Sequence, residues 1–433
     1  MHSRFTAFAV VVAVVFVSVA SVAAQQPLSL ERFDRQLEQI RRETEARALS
    51  DVPPAQRALI DYGGFLSFNY FSIDDSLLDN HVLRQYEVIG YLRVNLDAAQ
   101  EIYLRGRAGY QDFNDGDSFD GRGDERIDGV IADFSWQDTT LQLIAGVTPV
   151  RTVDIDPSRP NFDHHTRRGF YGANLAHQLG QHRPYLFGLV QRDYNEDDVA
   201  TTGGVVTEFD YNSYYLGAGV GGAITDRLLY GVELVYEGGT TLSNSFIVTG
   251  PVLTQIPQTE DEISAWAADA RLDFLLLDRR RSRLSAEVIL ASGDDDRLQT
   301  SSTFGGNAPN TSDGAFNAFG LLNTGLAFAP ATSNIVIFRA GALTFPMPEH
   351  SAFDRLQVGV DLFVYNKMDS DAPIDEPTFD SSYLGFEPDI FINWQISSDV
   401  TLALRYGIFF PGSAIVADDD PCMFFGAGVT YAF

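Results

Sequence analysis

Glu101-Ile-Tyr-Leu-Arg-Gly-Arg-Ala-Gly-Tyr110 is the stretch that decides the fold. Successive side chains of an extended strand point to opposite sides. Ile102, Leu104, Gly106, Ala108 and Tyr110 therefore share one face, and Glu101, Tyr103, Arg105, Arg107 and Gly109 the other. One face is apolar and the other charged. The same alternation sets Trp266, Ala268, Ala270, Leu272, Phe274 and Leu276 against Asp269, Arg271 and Asp273. It recurs with Leu284, Ala286, Val288 and Leu290 against Arg283, Ser285 and Glu287. Near the end, Leu402, Leu404, Tyr406, Ile408 and Phe410 oppose Thr401, Ala403 and Arg405. From Arg57 to Phe433 the period stays at two. Strands of about 10 to 15 residues exceed the usual length in water-exposed sheets and suit a tilted membrane crossing.

The connections sort into two kinds. Asp97-Ala98-Ala99, Gln137-Asp138-Thr139, Thr225-Asp226-Arg227 and Asp278-Arg279-Arg280-Arg281 read as short turns, and between them run long segments rich in Asp, Gly and Asn. Short periplasmic turns with long outer loops mark an outer-membrane barrel, which must close because lipid cannot satisfy an open sheet edge. The expected fold is all-β, a transmembrane antiparallel up-and-down β-barrel of about 16–18 strands with a short N-terminal periplasmic helix. About 17 strands can be placed, whereas two periplasmic termini need an even number. Either Phe316 to Phe328 belongs to one long outer loop, giving the lower count, or a crossing between Asp294 and Ser382 is missed, giving the higher.

Ahead of the barrel, Arg4 precedes the apolar run Ala7 to Ala20, and Val22-Ala23-Ala24 offers a small-x-small cleavage site before Gln25. The reading is a signal peptide over 1–24, a helical extension over 25–57 and the barrel over 58–433. Phe33, Leu37, Ile40, Thr44 and Ala48 recur at helical spacing until Pro53-Pro54 stops them. That helix serves as a periplasmic extension, a lumen plug or a short coiled coil.

Of 433 residues, 30 are Lys or Arg and 59 Asp or Glu, a formal charge of -29, which excludes nucleic acid as a partner because phosphate binding needs a basic face. A single Cys, Cys422, rules out an intrachain disulfide. Most of the excess acidity falls in segments read as outer loops. It attracts cations and divalent ions that bridge lipopolysaccharide, or simply solvates the loops. The segment from Val150 to Arg168 departs from this rule, with Arg151, Arg159, Arg167, Arg168, His164 and His165 against Asp154, Asp156 and Asp163. A basic loop folded into the lumen would constrict it around an anionic solute. Arg93, Arg105, Arg107, Arg339 and Arg405 continue a pore-lining ladder, with Glu387 and Asp389 as opposing charges. The alternative is that these arginines pair with lumenal acids such as Glu87, Glu101 and Glu287 and fill the wall.

Catalytic patterns are weak. His81, His164, His165, His177 and His182 show no zinc-helix spacing, and no Gly-x-Ser-x-Gly elbow occurs. Asp115, Asp117, Asp120 and Asp124 interleave with glycines but miss the calcium-loop spacing. No cofactor and no enzymatic activity are expected, and a metal site is left open.

Leu384-Gly-Phe-Glu-Pro-Asp389, the strand running into Phe409-Phe-Pro-Gly412, and the closing strand to Phe433 resemble the alginate-export family of bacterial outer-membrane barrels. Ala291-Ser-Gly-Asp-Asp295, Thr303-Phe304 and Gln191-Arg-Asp-Tyr-Asn195 add to the resemblance, whose architecture spans roughly Ile60 to Phe433. It implies an 18-stranded barrel passing a polyanionic polysaccharide through a lumen lined with Arg. Here lumenal bases scarcely exceed acids, so the expected cargo widens to saccharides or other small polar or anionic solutes. Expected partners are outer-membrane lipid, lipopolysaccharide, the barrel-assembly machinery and the cargo. The alternatives are an acidic-loop surface anchor and a barrel-borne envelope enzyme.

Overall fold

A computed structural model describes residues 60–74, 81–95, 101–113, 128–147, 167–194, 199–202, 205–243, 246–249, 252–297, 307–318, 322–416 and 420–432. In chain order the strands are β1 (Ile60–Asp74), β2 (His81–Asn95), β3 (Glu101–Phe113), β4 (Asp128–Trp136), β5 (Thr139–Val147), β6 (Arg168–His177) and β7 (His182–Asp193). There follow β8 (Val199–Thr202), β9 (Val205–Glu208), β10 (Tyr211–Thr225), β11 (Leu228–Leu242), β12 (Phe246–Thr249), β13 (Val252–Gln255), β14 (Glu260–Leu275) and β15 (Arg283–Ala291). The last are β16 (Ile335–Thr344), β17 (Leu356–Asn366), β18 (Tyr383–Gln395), β19 (Val400–Pro411) and β20 (Cys422–Ala432). For most of β2, β3 and β4 the description is of the backbone. Among the described residues no helix is long and apolar enough to cross a membrane.

Sixteen strands make one sheet in the order β3-β2-β1-β20-β19-β18-β17-β16-β15-β14-β11-β10-β7-β6-β5-β4. Each described pairing within it is antiparallel, and β1 pairs with β20 from Phe65 opposite Ala432 to Asp74 opposite Met423. Joining first strand to last is how an up-and-down meander becomes a barrel. The two ends of the order, β3 and β4, are consecutive in the chain, and their link, 114–127, lies outside the described residues. Among the described residues the count is sixteen, two fewer than the resemblance implies, and Phe316 and Phe328 lie in the long connection between β15 and β16. The hairpins β8–β9 and β12–β13 form separate two-stranded sheets within the β7–β10 and β11–β14 connections.

The short turns fall where the sequence places them, at 137–138, 226–227 and 276–282. The turn at Asp97 to Ala99 lies outside the described residues, as do the signal segment, the N-terminal helix and the Asp115 to Asp124 cluster.

Burial follows the alternation. Along β14, Asp261, Ile263, Ala265 and Ala267 are buried, whereas Glu260, Glu262, Ser264 and Trp266 are exposed. The outward positions carry Leu186, Leu216 and Leu234, each more than half exposed. Such a band is unfavourable against water and stable against acyl chains. The inward face is better covered than the outward one, because a connection folds back inside.

Candidate functional site: a loop held across the lumen

The β15–β16 connection, residues 292–334, supplies the cover. Register sets its attachment points: Phe363 on β17 lies opposite Glu387 on β18, and both face inward. Glu387 is fully buried. Its Oε1 accepts the N–H groups of Leu326 at 2.6 Å and Ala327 at 2.7 Å, and its Oε2 accepts that of Phe328 at 2.9 Å. Three successive amides around one carboxylate form an anion nest, with the anion supplied by the wall. The Tyr365 hydroxyl donates to Thr324 O at 2.9 Å and to Glu387 Oε2 at 3.2 Å. Gly325 makes the approach possible: its φ is +110°, and a Cβ there would meet the Tyr365 hydroxyl and the Glu387 carboxylate. The Phe328 ring then stacks on Phe409 of β19 at 4.2 Å between centroids and meets Tyr365 edge-on at 5.1 Å.

A second carboxylate holds the other end. Glu237 on β11, also fully buried, accepts the Asn317 N–H at 2.7 Å and the Tyr211 hydroxyl at 2.6 Å. The Tyr215 hydroxyl of β10 donates to Asn317 O at 2.7 Å, and Phe316 packs edge-on against the Tyr215 ring. In ring order, β14, β15, β16 and β17 lie between β11 and β18. The loop therefore runs as a chord from the β10–β11 wall to the β17–β19 wall. Each hydrogen bond to a charged group contributes about 1.5–3 kcal/mol, and the desolvated amides have no water as an alternative.

The loop also binds its neighbour. Asn334, at a φ of +48°, accepts the Asp369 N–H at 2.8 Å through Oδ1 and donates from Nδ2 to Ala372 O at 2.8 Å. Ala372 and Ile374, in the β17–β18 connection, are buried by this union. Lys367, the one lysine of the chain, points its Nζ at Ala372 O and Phe379 O, both at 3.1 Å. Burial lowers the pKa of this ammonium below its ordinary value, opposed by Asp380, Asp371 and Asp369.

The residues singled out from sequence separate into three groups. Glu387 and Asp389 are inward and buried side by side on one strand face, but Glu387 grips a loop. Arg339 donates to Glu287 at 2.7 Å and Asp361 at 2.9 Å, the wall-filling pairing with Glu287. Arg405 is buried, donating to Leu404 O and Asn393 Oδ1, both at 2.8 Å. Arg168 opens β6 and is buried 3.5 Å from Asp193, while Arg167 beside it is exposed. Arg151 and Arg159 lie outside the described residues. For Arg93, Arg105 and Arg107 the backbone register is described: Arg93 pairs with Asp61 and Tyr103, Arg105 with Tyr91, and Arg107 with Ile89, which pairs in turn with the inward Phe65. By that register all three stand at positions of the same parity as Phe65. Among the described residues the loop spanning the lumen is the β15–β16 connection; the segment that the sequence singles out between β5 and β6 lies outside them, save Arg167 and Arg168. Glu237, Tyr365 and Asn317 carried no motif; the only signal was a loop holding Phe316, Leu326 and Phe328, apolar residues that an outer loop has no reason to carry.

Fold and lumen together define an outer-membrane channel for small solutes. A family model described as alginate export matches residues 127–424, more than half of the chain, and the chain belongs to that family. Comparison with curated proteins found no match. Among solved structures, the chain is similar to Pseudomonas aeruginosa OprD at 10% identity and a TM-score of 0.46, covering 88% of this chain and 98% of that one. Similarity to Pseudomonas putida OprB is 8% with a TM-score of 0.45, over 86% and 94%. For Pseudomonas aeruginosa OccK11 (OpdR) it is 13% with a TM-score of 0.41, over 86% and 96%.

Proposed function

We propose that the channel carries saccharides or other small polar and anionic solutes, and that they pass along the β1–β5 sector of the wall. The chord carries this reading, because its described attachments fall on β10, β11 and β17 to β19. Four acids under the loop are already engaged: Glu237 and Glu387 hold amides, and Glu287 and Asp361 hold Arg339. Arg93, Arg105 and Arg107 sit in register positions on β2 and β3, in the remaining sector. There a guanidinium can meet a carboxylate or sulfate bidentately. Arg151, Arg159 and Arg167 belong by sequence to the segment that precedes β6.

A non-catalytic role fits the histidines. His177 bonds the Thr139 hydroxyl at 2.8 Å and His182 the Tyr230 hydroxyl at 3.1 Å, both exposed near the short-turn end. In this reading lipopolysaccharide meets the acidic outer loops, and the barrel-assembly machinery inserts the chain. The test is planar-bilayer recording with Arg105→Gln/Arg107→Gln and with Arg339→Gln. The double variant should shift the reversal potential toward cations and weaken block by an acidic oligosaccharide, with a smaller shift for Arg339→Gln. Unchanged selectivity in the double variant overturns the assignment of the pathway.

A further inference from the structure

We propose that Asp294, Asp295, Asp296 and Asn307 bind a divalent cation of the calcium class at the root of the β15–β16 loop. One carboxylate oxygen from each aspartate lies within 4.8 Å of the others, a spacing that one ion can bridge. Acidic residues at a rim are common without an ion, and the buried members set this group apart. Asp294 is 8% exposed and Asn307 only 3%. The Asn307 amide donates from Nδ2 to Asp294 Oδ2 at 3.1 Å and to Ser312 O at 3.0 Å. Two acceptors on the nitrogen fix which end of the amide is which. Its Oδ1, on the same carbon, is buried without a hydrogen-bond partner. A buried carbonyl oxygen left so costs about 1–3 kcal/mol unless something binds it.

Charge points the same way. The buried Asp261 has its Oδ2 without a partner, and Asp313 is fully buried. The cation in the cluster is Arg297, whose Nη2 is bonded to Asp313 at 2.5 Å. Asp294, Asp295 and Asp296 thus crowd negative charge onto one turn. Calcium takes six to eight oxygens at about 2.3–2.6 Å and tolerates irregular geometry, whereas magnesium needs a near-ideal octahedron. Three carboxylates and an amide oxygen, two of the carboxylates exposed to water, fit calcium better. Since Asp294 also accepts the Gly314 N–H at 2.7 Å, the ion would clamp the outgoing turn to the returning strand of the loop.

The test uses full-length refolded protein in lipopolysaccharide-free detergent, stripped with chelator and titrated calorimetrically with calcium chloride, with magnesium chloride as comparison. Saturable binding near one ion per chain is expected, at least tenfold weaker for magnesium and at least tenfold weaker for calcium in Asp295→Asn/Asp296→Asn. Both substituted residues are exposed, and retained heat-modifiable migration verifies that the variant folds. Glu260→Gln/Glu262→Gln, which neutralises two exposed acids at the same rim, should bind as the parent does. No saturable binding by the parent, parental affinity in the Asp double variant, or equal loss in the Glu double variant each overturns the site.

Discussion

Glu387 accepts the Phe328 N–H at 2.9 Å, so a carboxylate on the wall holds the main chain of a loop whose other end is held by Glu237 six strands round the ring, counting both. Inward acids in a channel invite reading as pore charges. These two act as clamps on a loop.

Removing one clamp should open the channel. Glu387→Ala leaves three amides in a dry site without an acceptor, a cost of about 1–3 kcal/mol for each group left unsatisfied. The loop then detaches locally. Single-channel recording should show a larger and noisier conductance than the parent. Glu387→Gln, which keeps acceptor oxygen at one position, should fall between. Parental conductance in the alanine variant would mean that the chord does not limit flow.

Gly325 gives an independent handle on the same contact. Alanine must adopt a φ of +110° and drive its methyl into Tyr365 and Glu387. Gly325→Ala should reproduce the conductance change of Glu387→Ala without altering any charge, so ion selectivity should move less than conductance. Gly180, also at positive φ but with open space around its Cβ position, is the control, and Gly180→Ala should leave conductance unchanged.

How much of this was legible follows from what each residue signals. The strands at Glu101, Trp266, Leu284 and Leu402 declared themselves because one face meets lipid and the other does not, a constraint that writes a period of two into the sequence. The chord writes no period. Phe316 to Phe328 resisted classification as strand or loop because its apolar residues pack against the inside of a wall that only the closed ring creates. Glu387 looked like a pore charge because a carboxylate's sequence position does not reveal whether water, a guanidinium or three amides will face it. Arg339 was ambiguous for the same reason, and its two carboxylates on β15 and β17 are adjacent only once the register is set.

Pairing at Arg339 should show in stability. Arg339→Gln removes the guanidinium that Glu287 and Asp361 both bind, and breaking a largely buried pair in this way costs about 3–5 kcal/mol. The Arg279–Glu349 pair at 3.2 Å, with both side chains largely exposed, contributes about 0–1 kcal/mol by contrast. Urea unfolding in detergent, read by tryptophan fluorescence, should show a clearly lower midpoint for Arg339→Gln and almost none for Arg279→Gln. Equal midpoints would argue that water reaches the Arg339 cluster freely.

Lys367 offers a pH test with a defined sign. Its folded pKa lies below the ordinary 10.5 because burial disfavours the charged ammonium. Between the folded and unfolded values the unfolded chain binds more protons, so stability from this group rises with pH across that window. Above 10.5 both states are neutral and the burial cost is gone; below the folded pKa it is present in full. As the chain holds one lysine, reductive methylation with carbon-13 formaldehyde labels one side-chain amine, and its resonance can be followed against pH without assignment beyond separating the N-terminal amine. The midpoint should fall below 10.5 in the folded barrel and return to it in denaturant. In Asn334→Ala, which removes the side chain that ties Ala372 to the β15–β16 loop, water should reach the ammonium and the folded midpoint should move up toward the denatured value. A folded midpoint at or above 10.5 in the parent would mean that the carbonyls of Ala372 and Phe379 and the nearby aspartates outweigh burial, and that the β17–β18 connection is held by a charge.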